Sequence, residues 1–166
     1  IRGLGEMHLR AKLARLASQY KVELATKPPQ IDYRETITGK APGHCRHKKQ
    51  SGGAGQFGEV MLRVEPLERG AGFEFVDSVK GGVIPGVFMA SVEKGVRQAL
   101  EDGVVAGFPV HDIRVTVHDG KSHSVDSKDI AFFTAGRKAT IQAIQAATPI
   151  ILEPVVDIEV LTPDAA

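Results

Sequence analysis

The stretch HKKQSGGAGQFG (residues 47–58) combines clustered positive charge with four glycines, and it runs directly into an apolar, strand-like segment. Glycine reaches backbone conformations that other residues adopt only at a steric cost, and it lets the main chain approach a ligand closely. The two adjacent lysines, Lys48 and Lys49, favour an anionic ligand. The stretch therefore predicts a loop that contacts either nucleotide phosphates or the backbone of a polynucleotide.

Positive charge is concentrated around this loop rather than spread over the chain. Between positions 40 and 50 there are four Lys or Arg residues and two histidines but no carboxylate, although the whole chain has a net charge of only +1. Local fields of this kind steer polyanions even when the total charge is near zero.

The composition is that of an ordinary folded protein. The chain has 166 residues, of which 42% are hydrophobic and 25% are charged, and these values argue against extensive disorder. No apolar run approaches the ~18 residues that span a bilayer, and the single cysteine, Cys45, excludes an internal disulfide. We therefore expect a soluble, cytoplasmic protein with no membrane partner. Because the chain opens at Ile1, inside what looks like a helix start, we also expect a fragment of a longer protein.

The first part of the chain ends in a proline-rich linker. Apolar residues recur at spacings of three and four from Leu9 to Tyr20, which predicts a helix with one buried face. Residues 22–25 then predict a short strand. The adjacent prolines Pro28 and Pro29 fit neither a helix nor a central strand, so they mark a domain boundary.

Beyond the linker, short strands alternate with amphipathic helices, which predicts an α+β fold. Strands are predicted at residues 33–37, 59–65, 73–76 and 110–118. We expect residues 73–76 to return as an antiparallel hairpin on the strand before them, because a glycine-rich turn separates the two.

Helix and turn signals complete this pattern. One helix is predicted from Pro85 to a stop at Gly103, and another from a cap at Asp126 or Ser127. The pair Asp119-Gly120 predicts a turn. Near the end of the chain, residues 155–160 look like a strand that has lost its domain.

The glycine-rich loop also fits two nucleotide-binding patterns literally. Residues 53–58 fit G-x-G-x-x-G, and with Val60 they fit the G-x-G-x-x-G-x-V of a kinase loop. A dinucleotide-binding fold needs this turn to open a helix, whereas here it opens a strand, and the other kinase motifs do not occur in the sequence. Neither interpretation is favoured, and a solvated hairpin loop without a ligand stays an alternative.

A second group of polar residues, KSHSVDS (residues 121–127), places Ser, His and Asp close together in sequence. Members of a hydrolytic triad normally come from separate elements so that each can be oriented, and Asp126 and Ser127 suit helix caps better. We therefore interpret His123 and Lys121 as exposed hydrogen-bond donors at a loop tip, with a merely solvated histidine as the alternative.

A metal site is not expected. His44, Cys45 and His47 supply three donors within four residues, but the sequence has no second cluster at zinc-finger spacing, and the neighbouring cations oppose a metal ion.

Five stretches, taken in order, resemble successive landmarks of the elongation factor G family. They are GLGEMHL (residues 3–9), KKQSGGAGQFG (48–58), KGGVIPG (80–86), SHSVDS (122–127) and LEP (152–154). The resemblance implies that residues 1–28 are the C-terminal part of domain III, residues 29–153 are domain IV, and residues 154–166 are the first strand of domain V. It also implies a ribosomal protein S5 domain 2-like α+β fold for domain IV, preceded by a helix and a strand of a ferredoxin-like domain III.

The resemblance implies a function as well. Members of this family are translational GTPases whose domain IV enters the decoding site of the small ribosomal subunit and promotes translocation of tRNA and mRNA. The partners implied are the ribosome, mainly small-subunit rRNA, and the mRNA–tRNA duplex, with the protein itself a monomer. The residues of this chain that match the RNA-contacting or ribosome-contacting loops, or flank them, are Lys48, Lys49, Gln50, Ser51, Gly52, Gly53, Gln56, Lys121, Ser122 and His123. No catalytic residue, cofactor or metal is implied for this chain, because GTP and Mg belong to the nucleotide domain of the parent protein.

Departures from the family's usual residues keep one alternative within the family open, and a second alternative comes from a different class. Ala54 stands where the loop usually carries arginine, Phe57 replaces a tyrosine, and Lys121-Ser122 replaces a Ser-Tyr pair. One alternative is a ribosome-protection or recycling paralogue. The other, from a different class, is a small nucleotide-binding or RNA-processing enzyme on an S5-like fold.

Overall fold

The computed structural model describes residues 4–22, 24–27, 31–50 and 55–157. The chain divides into two compact units, Ile1–Ile31 and Asp32–Ala166. The boundaries expected between domains III, IV and V stay predictions.

The first unit contains helix α1, Glu6–Tyr20. The helix forms as predicted and its leucines are half-buried, but the predicted buried face does not form, since no residue of α1 is fully buried and Tyr20 is 63% exposed. The helix ends at Tyr20, and its C-cap Lys21 has a left-handed φ of 55°. The strand expected at residues 22–25 is not formed at those of its positions that the structure describes. A strand needs a hydrogen-bonded neighbour, and the described part of this unit contains none.

The second unit is an α+β fold, as predicted. Its elements are, in chain order, β1 Arg34–Ile37, β2 Ala41–Lys49, β3 Gln56–Pro66, β4 Phe73–Asp77, α2 Gly86–Asp102, β5 Ile113–Lys121, α3 Asp129–Ala146 and β6 Pro149–Leu152. Four strands form a sheet in the order β2-β3-β5-β4, and β1 pairs with β6 in a smaller sheet. The pair β4–β5 is parallel and the other pairs are antiparallel.

The core lies between the four-stranded sheet and the helices α2 and α3. Alternate residues of the two central strands are fully buried: Val60, Leu62, Val64, Ile113, Val115 and Val117. Phe88 of α2 stacks on Phe132 of α3 with ring centroids 4.8 Å apart. Successive side chains of a strand point to opposite faces, so the other face of the sheet carries polar residues. We call this the open face, and its polar residues include His44, Arg46, Lys48, Glu59, Arg63, Glu65, Glu74 and Arg114.

Strand β4 is not the hairpin partner of β3 that the sequence predicts. Both edges of β3 are taken, by β2 and β5, so β4 lies parallel to β5 at the sheet edge. Asp112 holds the chain there, because its Oδ1 accepts the main-chain N–H groups of Gly70 and Gly72 at 3.1 and 2.9 Å. Burial raises the pKa of Asp112, but these bonds outweigh it and leave the pKa below its usual value.

Strand β2 occupies a stretch whose Pro42 and Gly43 are typical of a loop. Because β2 is an edge strand, a proline is tolerated in it. A Cβ atom on Gly43 would clash with the carbonyl oxygen of Ala139. Glycine at this position therefore lets α3 pass close to the sheet.

The turn predicted at Asp119-Gly120 is wrong, because β5 continues through both residues to Lys121. Instead of forming a turn, Gly120 allows Glu59 and Ile84 to lie close to the main chain of β5. A Cβ atom there would clash with the carbonyl oxygen of Glu59 and would lie 2.5 Å from Cδ1 of Ile84.

The long helices follow their apolar periodicity, but one cap differs from the prediction. Helix α2 begins directly after Pro85 and ends before Gly103. The N-cap of α3 is Lys128, without a side-chain hydrogen bond, since Asp126 and Ser127 make other contacts. Among the described residues, no helix is both long and apolar enough to cross a membrane.

The end of the chain is described only in part. The strand expected at residues 155–160 is not formed at residues 155–157. Residues 158–166 lie outside the described part, so a first strand of domain V at residues 154–166 stays a prediction for them.

Candidate nucleic-acid interface

The hairpin of β2 and β3 carries the first group of predicted site residues. Its strands pair as far as Lys49 opposite Gln56. We call the described residues at this end of the hairpin, namely Lys48, Lys49, Gln50 and Gln56, the hairpin tip. Lys48, Lys49 and Gln50 are exposed there and Gln56 is half-buried. The other residues expected in this tip, Ser51, Gly52 and Gly53, lie outside the described residues, as does Ala54.

Residues 121–127, here called the histidine loop, are hydrogen-bonded to the hairpin next to its tip. The main-chain N–H of Phe57 donates to the carbonyl oxygen of Asp126 at 2.8 Å. Oγ of Ser127 donates to the carbonyl oxygen of Phe57 at 3.2 Å and accepts the main-chain N–H of His123 at 2.8 Å. The structure thus brings His123 beside the hairpin tip. Lys121 is exposed and Ser122 half-buried at the start of the loop.

Phe57 lies between the hairpin and the histidine loop. It is 7% exposed, and the ring of His123 is 6.1 Å away, centroid to centroid. Gly55 permits the close contact, since a Cβ atom there would lie 2.8 Å from Cγ of Asp126. Phe57 is therefore an apolar anchor beneath the polar tip, which is a role for a packed aromatic side chain.

We assign the tautomer of His123 from its hydrogen bonds, which are shorter than the 3.6 Å between Nδ1 and Oδ2 of Asp126. Nδ1 accepts the main-chain N–H groups of Val125 and Asp126 at 3.3 and 3.2 Å. Because a nitrogen that accepts these bonds carries no hydrogen, the neutral ring has its hydrogen on Nε2. With a side chain that is 53% exposed, His123 can present this Nε2–H group as a donor to a ligand.

A cleft of about 170 Å³ lies between the hairpin and the histidine loop. Its lining residues are Arg46, Lys48, Lys49, Gln50, Gly55, Gln56, Phe57, His123 and Asp126. Three of them are cations and one is a carboxylate, so the cleft favours an anionic group or a hydroxyl-rich surface. Five of the predicted site residues line it, whereas Lys121 and Ser122 do not.

The geometry does not support a hydrolytic triad in the histidine loop. The hydroxyl of Ser127 bonds main-chain groups of Phe57 and His123, and the ring of His123 accepts main-chain N–H groups. A nucleophilic serine would need its hydroxyl on the imidazole.

A zinc site around Cys45 is disfavoured by the strand geometry. His44 and Cys45 are neighbours on β2, so their side chains point to opposite faces of the sheet. Nε2 of His44 lies 2.7 Å from Glu59 on the open face, while Cys45 packs against the core, where burial raises the pKa of its thiol. Within the described ranges, no three His, Cys, Asp or Glu side chains gather as a metal site requires.

Sequence reasoning missed four residues of this site, namely Arg46, Phe57, Asp126 and Ser127. Arg46 could have been found, because it alternates with His44 and Lys48 once the stretch is recognised as a strand. The others lie within stretches that the sequence analysis singled out, but their contacts join residues far apart in the chain, and the local sequence carries no signal for such contacts.

The fold and the site define an α+β domain with a cationic, donor-rich tip at one end of its sheet. Residues 29–148 match the family model described as "Elongation factor G, domain IV". The chain therefore belongs to the elongation factor G domain IV family, and the S5-like fold expected for it is confirmed.

Known proteins agree with this assignment. Elongation factor G of Aquifex pyrophilus is 48% identical over 164 residues, which are 99% of this chain and 24% of that protein. An elongation factor G-like protein of Thermotoga maritima is 49% identical over 164 residues, which again are 99% of this chain and 24% of that protein. A crystal structure of a Thermus thermophilus protein matches with a TM-score of 0.82 and 40% identity, covering 90% of this chain and 22% of that chain. The chain thus spans about a quarter of the length of these relatives.

Proposed function

We propose that this chain is the ribosome-contacting part of an elongation factor G-type translational GTPase. The hairpin tip and the histidine loop enter the decoding site of the small subunit and contact rRNA and the mRNA–tRNA duplex during translocation. The observation that carries the proposal is the joint between Phe57, Asp126 and Ser127. This joint holds the hairpin tip and the histidine loop side by side, so that both can contact the same RNA.

The tip offers the contacts that an RNA reader without sequence preference needs. Double-stranded RNA is recognised by its shape and by 2′-hydroxyl and phosphate contacts across a wide, shallow minor groove. Gln50 and the Nε2–H of His123 supply hydrogen-bond donors, and Lys48 and Lys49 attract phosphates. These contacts do not depend on a particular base, which suits a factor that acts at every codon.

In this proposal the chain has no catalytic residue, and GTP with its Mg is bound elsewhere in the parent protein. The glycine stretch supports this, since Gly58 lies within β3 and not at the helix N-terminus with which nucleotide-binding loops hold phosphates. The parent acts in the cytoplasm, as a monomer on the ribosome and without a membrane partner.

A ribosome-protection or recycling paralogue is the second candidate. The chain is similar to an elongation factor G-like protein at 49% identity and to an elongation factor G at 48%, so identity alone does not separate a paralogue from the translocase. Both candidates place the same tip on the ribosome. Assays of translocation and of subunit splitting with the full-length protein distinguish them.

The experiment compares full-length variants in single-turnover translocation on programmed ribosomes. We expect His123→Ala and Gln50→Ala to slow translocation by about tenfold, the effect of losing one hydrogen bond to a charged partner. Ribosome-stimulated GTP hydrolysis stays near the wild-type rate, because the altered residues do not touch the nucleotide. His118→Ala removes another exposed histidine, on β5, and is the control. Wild-type translocation by both tip variants would overturn the proposal.

The alternative from a different class, a nucleotide-binding or RNA-processing enzyme, predicts ligand binding by this chain alone. Titration of the chain with GTP, ATP and a structured RNA tests it. A saturable nucleotide site would favour the enzyme over the ribosomal probe.

A further inference from the structure

We infer that Arg46 is a phosphate-binding residue that extends the RNA-contacting surface from the two loops onto the open face of the sheet. The inference rests on the proposed function, because the ligand it names is the backbone of the RNA that the tip approaches. Arg46 belongs to neither loop and is not among the residues that the sequence predicts for the site.

The position of Arg46 links the loops to the sheet. It lies within β2 and lines the same cleft as Lys48 and His123. Residues two apart on a strand share a face and are separated by about 6.8 Å, so Arg46 and Lys48 stand side by side. An RNA strand that follows β2 away from the tip can therefore place neighbouring phosphates against the two cations.

Two contacts orient the guanidinium group. Its Cζ atom lies 5.4 Å from the ring centroid of Phe57, within the range of a cation–π interaction. Its Nε atom lies 4.0 Å from Oε2 of Glu59, the residue directly opposite on β3. A side chain held in this way loses less conformational freedom when a ligand binds.

Glu59 does not use up the binding capacity of Arg46. Oε1 of Glu59 lies 2.7 Å from Nε2 of His44, a much shorter contact than the 4.0 Å to Arg46. The Arg46 side chain is 57% exposed. Its terminal N–H groups can therefore form the bidentate contact with phosphate for which a planar guanidinium is suited.

Farther from the tip, Arg114 and Lys40 are paired with carboxylates. Nε of Arg114 lies 2.8 Å from Glu74, and its NH1 lies 3.9 Å from Glu65. Nζ of Lys40 lies 2.8 Å from Glu65, and this hydrogen bond is the main reason that the pKa of Glu65 is lowered. These pairs partly neutralise Arg114 and Lys40, whereas the Arg46 side chain is 57% exposed beside the tip.

The test uses Arg46→Met in the full-length protein, which keeps the aliphatic stem on Phe57 but removes the charge and the N–H donors. We expect binding to programmed ribosomes to weaken by about tenfold, and the slope of log affinity against log salt to decrease by about 0.7–1. The loss is the same for different codons, because phosphate contacts carry no sequence information. Arg46→Lys keeps the charge and recovers most of the salt slope.

Arg114→Met is the matched control, because it removes a paired arginine from the same face, and we expect wild-type binding. Thermal unfolding checks that each variant is folded, and Arg46→Gln replaces Arg46→Met if the latter is not. Unchanged affinity and salt slope without the arginine overturn the inference, as does an equal loss in Arg114→Met. If His123→Ala still weakens ribosome binding in either case, the proposed function stands and only the inference about Arg46 fails. If no tip variant affects ribosome binding, the proposed function itself is contradicted.

Discussion

The hydroxyl of Ser127 donates a hydrogen bond at 3.2 Å to the carbonyl oxygen of Phe57, 70 residues earlier in the chain. The hydroxyl oxygen of Ser127 also accepts the main-chain N–H of His123 at 2.8 Å. One side-chain atom thus connects the hairpin with the loop that carries the histidine. The local sequence favours Ser127 as a helix cap, but the structure gives it this tertiary role.

Replacing Ser127 by alanine removes a partner from two main-chain groups. We expect the free energy of unfolding to fall by about 1–2 kcal/mol, and translocation by the full-length protein to slow as it does in His123→Ala. Chemical denaturation followed by circular dichroism measures the first effect, and single-turnover kinetics the second. Ser127→Thr keeps the hydroxyl and is the control. Wild-type kinetics in the alanine variant would show that the joint is dispensable.

A buried carboxylate at the start of the second unit makes its stability depend on pH. Glu35 is 0% exposed, and its oxygens accept main-chain N–H groups from Val104, Val105, Ala106 and Phe108 at 2.7–3.2 Å. Burial raises the pKa of Glu35, but the four bonds outweigh it, and the pKa lies below its usual value. Such a group stabilises the fold above the unfolded pKa of about 4.3, and the effect is lost as pH falls through the folded pKa.

We therefore expect Glu35→Gln to lower the free energy of unfolding by about 2–3 kcal/mol at pH 7, because the charge-assisted bonds are lost. The difference from the wild type shrinks as pH falls below about 4. Urea unfolding at pH 7, 5, 4 and 3 measures it, with Glu68→Gln, an exposed carboxylate, as the control. A difference that grows toward acid pH would contradict this account.

Replacing glycine by alanine is expected to change the stability in opposite directions at two positions. Gly120→Ala places a Cβ atom against the carbonyl oxygen of Glu59, and we expect a loss of about 1–3 kcal/mol of stability from overpacking. Gly86 begins α2, and a Cβ atom there meets no described atom within 4 Å. Gly86→Ala is expected to be neutral or to stabilise by up to about 1 kcal/mol. Thermal unfolding of both variants decides the matter, since equal effects would disprove the contact at Gly120.

The lysines of the hairpin tip predict a measurable salt dependence. We expect Lys48→Ala and Lys49→Ala each to decrease the slope of log affinity against log salt by about 0.7 in ribosome binding, as the loss of one phosphate contact requires. Lys94→Ala removes an exposed lysine from α2 and is the control. A slope that falls equally in all three variants would point to the net charge instead of the tip.

Local patterns were sufficient to predict part of the fold. The helices α2 and α3 and the buried alternation of β3 follow from apolar spacing, which depends on near neighbours in sequence. The strand β2 does not, because Pro42 and Gly43 indicate a loop unless the edge position and the contact with α3 are known. The partner of β4 depends on the order of strands in the sheet, and periodicity contains no information about that order.

The residues of the candidate site could largely be predicted from the sequence, but the contacts that hold them together could not. Lys48, Gln50 and His123 were expected at neighbouring loop tips, and the structure places them around one cleft, while their contact with RNA stays a prediction. Asp126 meets Phe57 through main-chain atoms. Side-chain identity does not reveal such a contact, so sequence reasoning could not find it.

The joint between the two loops has an evolutionary consequence. Phe57 contributes its N–H and its carbonyl oxygen, and Asp126 and His123 also take part through main-chain atoms. Exchanges of exposed side chains, such as Lys121, therefore alter what the tip presents without moving the place where it is presented. Single substitutions can therefore change the chemistry of the tip in members of this family while the main-chain contacts that position it stay the same.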